Sequence, residues 1–242
     1  MIYYFSGTGN SLRVARHLAE NLEDHLSPMT SASFIDDETI GLVFPVYAWS
    51  IPNVVEEFAR NIQVSEGRYL YAVMTCGDDV GYADKVLESV LGRKLNAAFS
   101  VQMPNTYVCL PGFDIDSSEL CAKKLSAEPD AVRRISQSIK AKESVRSLCR
   151  GGLPWTKTYI IRPVFNCFLL TDMYFYVDSS RCTSCRKCQK VCPVRNVKLS
   201  ENRPQWQSRC SGCLACYHAC PHHAIHFGSM TCKKGQYTLP QP

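Results

Sequence analysis

The densest chemistry in this 242-residue chain is carried by sulfur. Cys182, Cys185, Cys188 and Cys192 form a CxxCxxCxxxC run closed by Pro193, and Cys210, Cys213, Cys216 and Cys220 repeat it, closed by Pro221. The repeat is an internal duplication of about 28 residues. Three thiols spaced two residues apart can be wrapped around one cube of iron and sulfide by a single turn of loop, while the fourth points away and serves another cube. The spacing therefore predicts two 4Fe–4S clusters with crossed ligation. One takes Cys182, Cys185, Cys188 and Cys220, and the other takes Cys210, Cys213, Cys216 and Cys192. Zinc sites instead pair two short knuckles across a longer spacer.

From about Val177 to Phe227, with both Cys-Pro dipeptides and the apolar Ala224–Ile225 pair, the segment resembles the two-cluster bacterial ferredoxins. The stretch Asn196 to Arg209, which carries Trp206, is longer than the family pattern. The resemblance implies a small α+β two-cluster ferredoxin domain over residues 177–242, with a role in electron transport. His218, His222, His223 and His226 lie among the ligands and read as polar surface or as neighbours of the clusters, because sulfur fills every ligand position. Six further cysteines, Cys76, Cys109, Cys121, Cys149, Cys167 and Cys232, have no ligand spacing. They read as packing residues, since free cysteine is among the most often buried side chains.

A second chemical feature opens the chain, where Ser6-Gly7-Thr8-Gly9-Asn10-Ser11 joins a strand-type run to an amphipathic helix-type run. Backbone N–H groups of such a turn, with a helix start behind them, form a cradle for a phosphate. Ser6, Thr8 and Ser11 add hydroxyl donors without adding charge, which suits the dianion of flavin mononucleotide (FMN). The turn has neither the lysine of a triphosphate loop nor the GxGxxG of a dinucleotide fold. The alternative is a plain helix cap by Asn10 or Ser11. Two more loops, Pro45 to Pro52 and Thr75 to Tyr82, also follow strands, where a doubly wound sheet places its ligand.

The turn resembles the phosphate loop of flavodoxins, in which hydroxyl residues flank a Thr-Gly pair. That resemblance implies that the two later loops hold the isoalloxazine ring, with Tyr47 or Trp49 stacking on it and the Cys76–Gly77 backbone lining its edge. Asp78 and Asp79 are departures, because acids beside a flavin disfavour its anionic reduced form unless they face solvent.

The elements that must position these groups read as alternating strands and helices. Strands are expected at Met1 to Phe5, His25 to Met29, Thr39 to Phe44, Tyr69 to Thr75 and Ala97 to Gln102. Helices are expected at Ser11 to Asn21, Asn53 to Asn61 and Tyr82 to Lys94, with a polar helical region from about Ser117 to Leu148. The pattern predicts an α/β, flavodoxin-like, doubly wound five-stranded parallel sheet of order 2-1-3-4-5 over residues 1–150. Gly151, Gly152 and Pro154 break the chain, and residues 151–176 read as an apolar packed interdomain connection. The whole order resembles the fused flavodoxin/ferredoxin proteins of anaerobic bacteria.

Net charge is +5, but residues 1–100 hold 7 Lys/Arg against 13 Asp/Glu and residues 101–242 hold 20 against 9. Clusters and a flavin phosphate would offset much of the basic excess. The cations between Lys123 and Arg146 read as a solvated helix face, so no nucleic-acid partner is expected. The apolar stretch Tyr159 to Val177 is interrupted by Arg162, Pro163, Asn166 and Asp172, and no membrane span is expected. No leader-like pattern opens the chain, and reduced thiols imply a cytoplasmic protein.

The expected function is relay of electrons between FMN and two 4Fe–4S clusters, to or from a redox partner protein. No acid/base dyad, nucleophile triad or catalytic metal site stands out. The competing reading is an FMN-dependent reductase of a small-molecule substrate bound under the 103–116 loop, with Asn105, Thr106 and Tyr107 as polar contacts. A loop that long usually has a function, and docking the ferredoxin domain would be a simpler one.

Overall fold

The computed structural model describes residues 1–29, 34–110, 112–169 and 171–239, without the side chains of 34 and 167–169. Pro111 of the 103–116 loop and the Cys167 side chain lie outside the described residues. Strand β1 (Ile2–Tyr4) leads to α1 (Asn10–Leu22), β2 (Leu26–Pro28), β3 (Phe34–Ile35) and β4 (Thr39–Pro45). There follow α2 (Asn53–Asn61), β5 (Gln63–Val64), β6 (Tyr69–Cys76), α3 (Ala83–Leu91), β7 (Ala97–Gln102), α4 (Ser118–Lys140) and β8 (Arg146–Ser147).

The main sheet is parallel throughout, in the order β2-β1-β4-β6-β7-β8. Its first five strands have the doubly wound order expected from sequence. The sheet is six-stranded rather than five-stranded, and the helical region expected to reach Leu148 stops at Lys140. The edge strand forms because half-buried Val145 packs on the core while the Arg146 guanidinium donates to the Asn96 and Leu95 carbonyls and to Glu88. Strands β3 and β5 make a separate two-residue parallel pair.

All eight residues of β6 are buried, as in a strand covered on both faces. Their alternation divides the core. Leu70, Ala72 and Met74 face the side that holds Val55 of α2 and Leu87 of α3, whereas Tyr71 and Val73 face Val14 and Leu18 of α1 and Val132 of α4. Helices α1 and α4 are also joined by Glu128, whose fully buried carboxylate accepts from Arg13 at 3.0 Å and lies 2.8 Å from His17 Nδ1.

Residues 154–169 correct the reading of a packed connection. They form α5 (Pro154–Thr156), a π-helical turn (Lys157–Ile161) and α6 (Arg162–Leu169). Among the described side chains of the run, Thr158 is buried, while Trp155, Ile160 and Val164 are each more than half exposed. The run is pinned at its start by Arg150, whose guanidinium makes two 2.9 Å bonds to the fully buried Asp84 carboxylate at the head of α3.

The C-terminal part contains β9 (Phe175–Val177), α7 (Lys187–Lys190), β10 (Val197–Ser200), β11 (Arg203–Trp206), α8 (Ala215–His218) and β12 (Ile225–Phe227). Strands β9 and β12 pair antiparallel, as do β10 and β11. The cysteine duplication is written into the backbone: Ser184 and Gly212, Arg186 and Leu214, and Arg195 and His223 are matched pairs in left-handed conformation. Among the described residues no helix is long and apolar enough to cross a membrane.

Candidate functional site: a cavity abutting one of two cysteine quartets

The glycine turn leaves β1 and enters α1 through Gly9, whose φ of 102° is open to glycine and strained for other residues. No side chain caps the first turn of α1, so its N–H groups stay available to an anion at the dipole's positive end. Ser6 Oγ accepts from the Gly9 N–H at 3.2 Å, and Ser11 Oγ lies 2.7 Å from Thr75 Oγ1 at the end of β6. Asn10 is buried, donates to the Pro104 carbonyl at 2.9 Å and accepts from the Tyr237 hydroxyl at 3.0 Å. It joins the turn to the 103–116 loop and the C-terminal tail. Gly7 marks a close approach, since a Cβ built there would lie 2.5 Å from the Cys213 Cβ.

The turn opens on a cavity with about 910 Å³ of empty space, part of it open to solvent. Ser6, Gly7, Thr8, Asn10, Ser11, Tyr47, Cys76 and Gly77 line it, and Gly9 sits behind the turn in a neighbouring cleft. Trp49 does not line it. Ala48 and Trp49 both have left-handed backbone, and this turn sends the Trp49 ring to Lys157, whose ammonium lies 5.4 Å from its centroid. Of the two expected aromatics Tyr47 alone lines the cavity, whose wall also includes Tyr107, Phe165 and Phe175. Burial, then the neighbouring Cys213 and Cys210 thiols, push its hydroxyl well above the ordinary tyrosine range.

At the Thr75 to Tyr82 loop, burial pushes the Cys76 thiol up to about 12. The Gly77 carbonyl accepts from Lys124 Nζ at 2.9 Å, and Lys124 also pairs with Asp116 at 2.6 Å. Lys124 was read as part of a solvated helix face and is instead 9% exposed. Asp78 faces solvent, and Asp79 is paired with Lys157 at 2.6 Å, so neither acid stands unpaired at the cavity.

Two smaller cavities each gather four cysteines. One, of about 350 Å³, is lined by Cys182, Cys185, Cys188 and Cys220, and the other, of about 260 Å³, by Cys192, Cys210, Cys213 and Cys216. Each quartet crosses the duplication, with the fourth thiol of one motif completing the other. Among the described residues no three His, Cys, Asp or Glu converge closely enough to hold a single metal ion. Burial pushes the Cys188 thiol up to about 11 and Cys210 to about 12, and raises Cys213 and Cys216. A bound metal reverses that preference by deprotonating its thiol ligands. Matching backbone donors stand behind the fourth sulfurs, Asn196 N–H to Cys192 Sγ at 3.1 Å and Ala224 N–H to Cys220 Sγ at 3.3 Å. Cys213 belongs to both worlds, lining its quartet's cavity and the one at the glycine turn.

Several residues at this seam carry no local signal. His218 is buried, receives the Tyr237 N–H on Nδ1 at 3.0 Å and therefore donates from Nε2 to the Thr106 carbonyl at 2.7 Å. Burial lowers its pKa to about 4, so it is a neutral strut. His226 is also buried, whereas His222 and His223 are exposed as expected. Lys234 Nζ binds the Leu110 and Phe113 carbonyls. Of the six other cysteines, Cys76 and Cys109 are buried, but Cys149 and Cys232 are exposed, which corrects the packing expectation for those two. Each lies in a segment whose packing face is supplied by its neighbours.

Residues 181–225 match the 4Fe–4S dicluster domain family. No curated protein matches the sequence. Among solved structures, the chain is similar to a protein described as a flavoprotein from Bacteroides uniformis, at 16% identity over 42% of this chain and 88% of that one, with a TM-score of 0.37. It is also similar to an FMN-dependent NADH-azoreductase from Bacillus anthracis in complex with FMN, at 13% identity over 56% and 98%, TM-score 0.36. A third is the rubredoxin oxygen:oxidoreductase of Desulfovibrio gigas, at 16% identity over 58% and 36%, TM-score 0.31.

Proposed function

We propose that this chain is an electron-transfer protein that binds FMN in the cavity at the glycine turn and a 4Fe–4S cluster in each cysteine quartet, and relays electrons between them to or from a redox partner. The observation that carries the reading is the position of Cys213, in the wall shared by the glycine-turn cavity and one quartet. Bound FMN would supply the change between paired and single electrons, and the clusters single-electron transfer. The chain's own residues hold the phosphate at the uncapped start of α1, keep Asp79 neutralised, and seal the seam from water with the 103–116 loop and the C-terminal tail. The quartet containing Cys213 is proximal to the cavity. The quartet containing Cys185, which is exposed, is distal and opens to the surface.

Anaerobic purification followed by iron, sulfide and flavin analysis tests this. About eight irons, eight sulfides and one FMN per chain are expected. Zinc with no acid-labile sulfide would overturn it.

A second reading, reduction of a small molecule under the loop, is favoured by the Tyr107 hydroxyl, which lines the cavity and is buried with no hydrogen-bond partner. Reoxidation of the reduced protein by a small molecule that slows at least about tenfold in Tyr107→Phe would support an enzyme, since an unpaired donor at a reacting centre is worth about that much. Equal rates would leave the relay alone.

A further inference from the structure

The segment from Asp178 to Arg209 carries eight Lys/Arg against two acids, and every one of those cations is exposed. Among the described residues none of them is ion-paired with a carboxylate. The charge is concentrated around the distal quartet. Arg186 and Lys187 line its cavity, Lys190 ends the same short helix, and Lys198 lies on β10, which packs on that helix. Two clusters at about −2 each would cancel about four of the six excess charges, leaving the face positive when loaded.

We infer that the basic face around Lys187, Lys190 and Lys198 is the docking surface for the acidic face of a protein redox partner that exchanges single electrons with the distal cluster. The inference rests on the relay reading above. Electron transfer at an exposed cluster needs a partner brought close and oriented, and opposite charge supplies both through steering. The face is less suited to single-stranded nucleic acid, which uses exposed aromatic platforms. Trp206, the only aromatic between Asp178 and Arg209, is stacked on Phe175 at 5.0 Å with 9° between the rings.

The test uses the full-length holoprotein, reduced by excess dithionite that is then removed, and mixed with ferric cytochrome b5 as an acidic protein probe. One electron leaves the protein for each ferric haem reduced to ferrous. The second-order rate should fall at least about tenfold between ~20 and ~200 mM salt, as expected for steered association. Basic cytochrome c should show no such fall. Lys190→Gln with Lys198→Gln should slow cytochrome b5 reduction about three- to tenfold at low salt. Iron, sulfide and flavin contents and the reduction of benzoquinone should be unchanged, Lys190→Arg with Lys198→Arg should restore the rate, and Lys123→Gln with Lys140→Gln on α4 should have no effect.

A rate indifferent to salt, or a double variant that matches the parent with its cofactors intact, overturns the docking surface and leaves the relay standing. Absence of iron or flavin from the parent protein overturns the relay instead. If the double variant loses iron, the salt dependence of the parent protein decides. A 20-base-pair DNA duplex that binds the parent in ~150 mM salt and not the double variant, with no salt effect on cytochrome b5, would assign the face to nucleic acid.

Discussion

Gly7 is a point of close contact between the two halves of the molecule, and its missing side chain is a requirement of contact rather than of conformation. A methyl group would lie 2.5 Å from Cys213 Cβ and 3.2 Å from its carbonyl oxygen, so Gly7→Ala must push the phosphate turn and the cysteine loop apart. FMN dissociation should rise at least about tenfold, a loss of ~1.4 kcal/mol, while iron content holds, measured by fluorescence of released flavin. Lys124 is a second residue with a stated role. Its ammonium sits between Asp116 and the Gly77 carbonyl, both at hydrogen-bonding distance. Lys124→Met leaves the Asp116 carboxylate, which is 12% exposed, without its cation though still bonded by the Asn105 N–H, and should cost up to ~3 kcal/mol in chemical unfolding. Lys124→Met with Asp116→Leu should recover much of that.

At the scale of elements, the helical run 154–169 is tied to the sheet by charge, through Arg150–Asp84 just ahead of it and Lys157–Asp79 within it. Removing the guanidinium in Arg150→Ala leaves the fully buried Asp84 uncompensated, with an expected cost of ~3–5 kcal/mol. Proteolysis should then begin in residues 151–162 before the sheet opens. The β8 edge is held by Glu88, which accepts from Lys85, Arg146 and the Leu95 N–H. Burial pushes its carboxyl up, but these donors outweigh burial and the net direction is down. A depressed carboxyl pKa adds stability that is complete above the unfolded value of ~4.3 and is lost as pH falls through the folded one. Glu88→Gln should therefore unfold at lower denaturant than the parent at pH 7, and the gap should narrow as pH falls below about 4.

Across the whole molecule, the C-terminal tail closes the seam. Gly235 donates to Asp114 at 3.1 Å, the Tyr237 hydroxyl reaches Asn10, and its N–H reaches His218, so loop, turn and tail share one network. A chain ending after Cys232 should retain its iron but lose amide protection in residues 103–110 and hold FMN more weakly, as read by hydrogen exchange and flavin release. The eight cysteines, the duplication and the glycine turn were legible in sequence because each is local: ligand spacing and turn chemistry depend on residues a few positions apart. So was the strand order, because alternating periodicities leave few ways to cover a parallel sheet. The placement of Trp49, Lys124, His218 and Tyr237 was not. Trp49 turns away because a distant helix supplies Lys157, and Lys124 is buried because Asp116 and Gly77 converge on it from separate loops. Cysteine spacing alone made iron–sulfur chemistry the expectation. Only the tertiary structure decided which quartet stands beside the glycine-turn cavity, because that depends on Gly7 letting Cys213 approach from more than two hundred residues away.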